Sequence, residues 1–114
     1  MSLPQIATGA AHAGVFQLVP AAAGHMRAQG SLTFASARRA CEQGVAALSQ
    51  ANGERLEIDC GGITTSDSAG LAVLLEWLGV ARRAGRSLRY THLPRGLAAL
   101  ARISEVEELL ERGV

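Results

Sequence analysis

Five consecutive residues, Thr64-Thr65-Ser66-Asp67-Ser68, carry hydrogen-bonding side chains, and Leu71, Leu74, Leu75 and Leu78 follow almost at once. Hydroxyls and a carboxylate at the entrance of an apolar helix could act on a substrate, hold an anion, or cap the helix. A hydrolytic serine needs a base that an acid orients. Asp67, Ser68 and His92 supply the residue types, but the G-x-S-x-G turn is absent and nothing in the sequence fixes their geometry. His12, His25 and His92 lack metal-ligand spacing, so no catalytic residue, metal ligand or cofactor is assigned. The eleven basic residues are all arginine, which leaves neither a Walker A lysine nor Schiff-base chemistry.

Anion binding has a physical basis. Ser68 stands at or just inside the start of the leucine helix, where backbone N–H groups lack partners and the helix dipole is positive. A phosphate bound there, or attached to Ser68, is favoured electrostatically. Ser68, Ala69 and Gly70 are the anion-binding candidates. The competing role is a helix cap by Asp67 or Ser68, which contributes about 1 kcal/mol. Gly70 costs a helix up to about 1 kcal/mol relative to alanine, so some group is expected to approach the backbone closely at that point.

The elements that must position these residues follow from periodicity and punctuation. Residues 1–14 read as a loose lead-in. Val15–Val19, ended by Pro20, suits an edge strand, and His25–Gln29 a second strand that Gly30 closes. Thr33 can cap a helix presenting Ala37, Cys41, Val45 and Leu48 on one face, and Ala51-Asn52-Gly53 stops it. Arg55–Cys60 and Ser87–His92 alternate apolar with polar residues, which implies a sheet with one polar face and helices mainly on the other. The leucine helix spans Ala69–Ala84 before Gly85, with Arg82 and Arg83 at its negative end. Pro94 fits the first turn of a third helix with Leu97 and Leu100 inward, and Ser104 with Glu107 has capping-box spacing for a last helix over Glu105–Glu111. The order is β-β-α-β-α-β-α-α.

Right-handed crossovers make the last three strands parallel. The segments Gly30–Thr33, Thr64–Ser68 and His92–Pro94 then share one sheet edge, at the strand ends where α/β folds place ligands. The leucine helix also carries a second apolar stripe, Val73, Trp77, Val80 and Ala84. Neighbouring helices are expected to cover Trp77, leaving Val73 and Val80 for a partner. Arg82, Arg83, Arg86, Arg89 and Arg95 complement the helix dipole and keep that end solvated.

Composition bounds the rest. The chain has 114 residues, 48% apolar and 18% charged, with formal net charge +1, which describes one soluble globular domain without a field for nucleic acid. Cys41 and Cys60 lack C-x-x-C spacing and read as reduced thiols. No apolar run reaches the roughly 18 residues of a membrane span, and the start lacks a charged n-region, so a cytoplasmic location is expected.

The segment from Leu56 to Leu88, "LEIDCGGITTSDSAGLAVLLEWLGVARRAGRSL", resembles the centre of STAS domains, the family of anti-sigma factor antagonists. Asp67-Ser68-Ala69-Gly70-Leu71 is similar to its Asp-Ser-Ser-Gly-Leu signature. Together with "GSLTFASA" from Gly30 and "THLPRGLAALARISEVEELL" from Thr91, it is similar to the MlaB-type subgroup, the STAS subunits of Mla phospholipid-transport ABC complexes. The resemblance implies a single SpoIIAA-like α/β domain over residues 15–114, with a mixed sheet of four to five strands. It also implies a cytoplasmic subunit without catalytic activity that binds the transporter ATPase at the inner membrane. The implied interface is Thr33, Thr65, Ser66, Asp67, Ser68, Ala69, Ala72, Val73, Glu76 and Val80. In antagonists the residue matching Ser68 is phosphorylated by an anti-sigma kinase. Where antagonists often have Gly-Glu-Leu-Asp, this chain has Gly30-Ser31-Leu32-Thr33, without the carboxylates. Some relatives are described as nucleotide-binding.

Overall fold

The computed structural model describes residues 15–50 and 53–114. The lead-in expected over residues 1–14 and the helix stop at Ala51-Asn52 lie outside them. The elements are β1 (Gln17–Pro20), β2 (His25–Leu32), α1 (Ala37–Gln50), β3 (Arg55–Ser66), α2 (Ser68–Arg83), β4 (Ser87–Thr91), α3 (Arg95–Ile103) and α4 (Glu107–Arg112). The sheet order is β1-β2-β3-β4, with β1 antiparallel to β2 and the other neighbours parallel. This is the expected mixed α/β sheet, with four strands.

Alternation divides the sheet as the sequence implied. Met26, Ala28, Leu56, Ile58, Cys60, Leu88 and Tyr90 are buried beneath the helices. His25, Arg27, Glu57, Asp59 and Arg89 line the opposite, open face, where His25 Nδ1 lies 3.2 Å from Glu57 Oε1. The sheet edges are closed to further pairing at several donors and acceptors. On β1, Leu18 N–H donates to Gln43 Oε1 at 3.0 Å, and Pro20 has no N–H. On β4, Leu88 C=O accepts from Val114 N–H at 3.1 Å.

The core centres on Trp77, which is fully buried with its ring centroid 6.0 Å from that of Phe16. A Cβ at Gly44 would lie 1.9 Å from Trp77 Nε1, so α1 crosses α2 at a glycine. Trp77 is covered by a neighbouring helix, as expected. Its Nε1–H has no hydrogen-bond partner among the described residues. Tyr90 donates its hydroxyl to Leu74 C=O at 2.6 Å, tying α2 to β4, and burial raises the phenol well above its usual pKa.

Several expectations are corrected. Gly30 does not close β2: the strand passes through it at φ 91°, where a Cβ would meet Val15 O at 2.1 Å. β3 continues to Ser66 because Ser31 and Leu32 pair with Thr65 and Ser66, so the hydroxyl segment is mostly strand. Thr33 does not cap α1; its N–H donates to Ser36 Oγ at 3.0 Å, and Ser36 C=O accepts the first helical bond, from Ala40. The buried face of α1 is Ala40, Gly44 and Leu48, while Val45 is 42% exposed, because Gly44 must face Trp77. Pro94 is the N-cap of α3 instead of a member of its first turn, and Leu75 and Leu100 are half-buried. Ala84, expected on the second apolar stripe, is exposed.

The capping box at Ser104 does not form either. Glu105 takes the left-handed conformation (φ 63°), and Val106 N–H donates to Ala101 C=O at 2.8 Å. This closing motif ends α3, and α4 starts at Glu107. α2 ends in the same way through Gly85 at φ 74°, with Arg86 N–H on Ala81 C=O at 2.9 Å. No helix among the described residues is long and apolar enough to cross a membrane.

The Gly44–Trp77 crossing yields a first expectation. Gly44→Ala overpacks a helix crossing and should cost about 1–3 kcal/mol, lowering the melting temperature by several degrees. Thermal melts followed by the fluorescence of the single tryptophan measure it. An unchanged midpoint would show that the two helices part easily.

Candidate functional site

β2 and β3 are parallel neighbours in register to their last residues, Leu32 beside Ser66. The chain therefore leaves both strands side by side, with Thr33-Phe34 next to Asp67. Asp67 is the N-cap of α2, in extended backbone at φ −144°. Its Oδ1 accepts from Gly70 N–H at 3.1 Å, and its Oδ2 accepts from Phe34 N–H at 3.0 Å. One carboxylate thus closes the first turn of α2 and fastens the turn after β2 to it. These N–H donors, Phe34 first and Gly70 second, hold the Asp67 carboxyl below the usual carboxylate range.

Gly70 also finds its reason here. A Cβ on it would lie 2.3 Å from Leu32 O, so α2 crosses the end of β2 backbone to backbone. The close approach is internal to the fold. The Gly70 N–H is engaged by Asp67, and Ala69 N–H also faces that carboxylate. A second anion at this helix end would meet the Asp67 charge.

Ser68 is the first residue of α2 and is exposed, and its hydroxyl makes no hydrogen bond to another described residue. Thr65, Ala72 and Glu76 are exposed, and Thr33, Ser66, Ala69 and Val80 are half-buried. Val73 is a correction. Expected on the outer flank, it is only 4% exposed and forms part of the floor of a groove between α1 and α2. That groove, of about 620 Å³, is lined by Phe34, Ala37, Cys41, Ala69, Ala72 and Val73, with Arg38, Glu42 and Glu76 on its rim.

Phe34 was missed by the sequence reading, and it is 83% exposed beside Asp67. A signal existed: it is one of only two phenylalanines, and it sits in a turn directly after a strand. Helical periodicity assigns no role to a turn residue, so it passed unmarked.

The third expected segment reaches the same edge through α3, since a Cβ on Gly96 would lie 3.9 Å from Ser66 Oγ. His92 turns away from it. At φ 55°, its Nδ1 lies 3.2 Å from Asp59 Oδ1 on the open sheet face. The Gly61 N–H, at 2.8 Å, is the main cause of a lowered Asp59 pKa, with His92 contributing less. No Asp67–His92–Ser68 relay is assembled among the described residues: Asp67 accepts from Phe34 and Gly70, and His92 lies against Asp59.

A four-stranded mixed sheet, helices on one face and a capped second helix crossing the end of a parallel strand define a STAS domain, and the chain belongs to that family. The family model that matches is the MlaB STAS domain, over residues 18–111. A solved structure of the anti-sigma factor antagonist SpoIIAA in its unphosphorylated form has a similar fold. It superposes with a TM-score of 0.59 at 12% identity, covering 78% of this chain and 83% of that one. A comparison with curated protein sequences finds no match.

The Asp67 geometry predicts a pH dependence. A carboxyl whose pKa is lowered by folding stabilises fully above its unfolded pKa, and that contribution is lost as pH falls through the folded pKa. Asp67→Asn removes the titration. The melting temperatures of wild type and variant should differ most at neutral pH and converge on acidification. A gap that is constant from neutral to acid pH would show that the charge of Asp67 is not what the two N–H groups require.

Proposed function

We propose that the chain is a STAS subunit without catalytic activity of its own that docks on the ATPase of a Mla-type ABC transporter. It would act in phospholipid trafficking, on the cytoplasmic side of the inner membrane and held there through its partner. The observation that carries this reading is Phe34, 83% exposed on the same edge as Ser68 and fastened by Asp67. A large apolar side chain kept in water on a rigid turn suits a protein interface, where a few such residues supply most of the binding energy. The MlaB family match supports the choice of partner. Co-purification after co-expression with a Mla-type ABC ATPase is the test.

A second reading, a phospho-regulated antagonist acting on an anti-sigma kinase, draws on the exposed hydroxyl of Ser68 at the start of α2. The likeness to an anti-sigma factor antagonist supports the fold it requires. A phosphate on Ser68 would bring about −1.5 to −2 charges beside the ionised Asp67 carboxylate. Repulsion would then act on the bond that holds the Phe34 turn. Intact mass of protein isolated from native cells tests this, and an unmodified mass throughout growth would end it.

Substitutions separate folding from docking. Phe34→Ser and Ser68→Asp should both keep near-normal melting temperatures, since Phe34 is outside the core and Asp67 remains the cap. Ser68→Asp places a carboxylate in a close-packed contact without an assured partner, which costs several kcal/mol of binding. Both variants should lose most ATPase binding in a pull-down, while Ser68→Thr retains it. Wild-type binding by both would remove this edge from the interface.

A further inference from the structure

At the amino ends of β2 and β3, away from the Asp67 edge, an apolar cavity of about 330 Å³ opens beneath the last turns of α1. Leu18, Met26 and Leu56, from three neighbouring strands, form its floor, which spans about 10 Å, two strand spacings. Its sides are Ala47 of α1 and Ala22 and Ala23 of the β1–β2 turn, all too short to fill it. The turn is held in place around it. Ala21 N–H donates to His25 C=O and His25 N–H to Ala22 C=O, both at 2.9 Å, and Gly24 C=O accepts from Glu57 N–H at 2.8 Å. The turn cannot drop into the cavity without breaking these bonds.

A polar recess continues from the cavity. Ala23 and Gly24 line both spaces, and Gly53, Glu54 and Arg55 complete the second. Glu54 and Arg55 carry opposite charges, and neither side chain has an ion pair or hydrogen bond among the described residues. Further round the strand ends, His25 Nδ1 lies 3.2 Å from Glu57 Oε1, with Arg89 lining the same space. There Ser87 Oγ–H donates to a Val114 carboxyl oxygen at 3.0 Å. Arg86, the residue before Ser87, is already engaged. Charges at this end therefore come in both signs, and neither a simple anion nor a simple cation is selected.

We propose that cavity and recess together bind a small amphiphile with one short alkyl chain and a zwitterionic head, its anionic group on Arg55 and its cationic group on Glu54. An apolar cavity of about 150 Å³ already takes benzene, so roughly twice that volume takes one chain of roughly ten carbons. A peptide helix, about 10 Å across, is too wide to enter. A head of a single sign would face Glu54 or Arg55 with like charge, which costs binding. The site is independent of the docking reading, since it lies at the opposite end of the strands from Phe34 and Asp67.

Calorimetry on the full chain with decylphosphocholine, kept below its micelle concentration, tests this. One equivalent should bind saturably. Decyltrimethylammonium and decyl sulfate, with the same chain and heads of one sign, should bind about tenfold more weakly. Phosphocholine without the chain should not saturate. Ala47→Leu fills the cavity from α1 and should weaken binding about tenfold or more. Ala23→Leu narrows it from the exposed turn, which guards against a fault in the helix, and should act likewise. Arg55→Gln should weaken decylphosphocholine about tenfold and leave decyltrimethylammonium unchanged or tighter. Absence of saturable binding, or wild-type binding by both leucine variants, overturns the site. Equal binding of the three heads by wild type overturns the zwitterion assignment and with it the proposal.

Discussion

The two hydrogen bonds of the Asp67 carboxylate are the constraint on which the candidate site depends. One closes the first turn of α2 through Gly70, and the other holds the β2–α1 turn through Phe34. Either bond alone would be an ordinary local feature. Together they join two segments 33 residues apart in sequence, which only the parallel register of β2 and β3 makes neighbours. Asparagine could donate or accept at this point, but it cannot present two charged acceptor oxygens to two N–H groups at once. The exposed edge is tied together because one carboxylate is shared across it.

Glycines set the distances at which the helices stand. At Gly70 the helix backbone crosses Leu32 O, and at Gly44 α1 meets the Trp77 ring, so two close crossings bracket the α1–α2 pair. Between them the walls carry alanines and Cys41, too short to fill the space left. Val73 reaches only the floor. The groove is thus a geometric consequence of where glycine is placed and where alanine follows. Larger residues at the alanine positions would fill it without disturbing either crossing.

Much of the fold was legible because its signals are local. The alternation of Leu56, Ile58 and Cys60, the leucine stripe of α2 and the Gly85 stop each report on a neighbourhood of a few residues. The parallel register followed from handedness, and it correctly brought the strand ends together. What was illegible depends on contacts between distant segments. The continuation of β3 to Ser66 needs β2 alongside it, and the phase of α1 needs Trp77. Val73 could not be told from a surface residue until α1 lay over it. Phe34 is the sharpest case: its exposure follows from a turn that Asp67 ties from another part of the chain.

The same carboxylate explains why a small charge near Ser68 could have a large effect. Asp67 already occupies the positive end of α2, so the helix dipole is satisfied before any ligand or modification arrives. A new negative charge on Ser68 gains the dipole only in competition with Asp67. Its attraction to the helix end and its repulsion from the cap oppose each other in stability. They do not offset in geometry. The repulsion acts on the Asp67–Phe34 bond, which crosses between segments, more than on the Asp67–Gly70 bond, which α2 itself supports. A charge at this helix end would therefore leave the fold in place and alter how the Phe34 turn is presented.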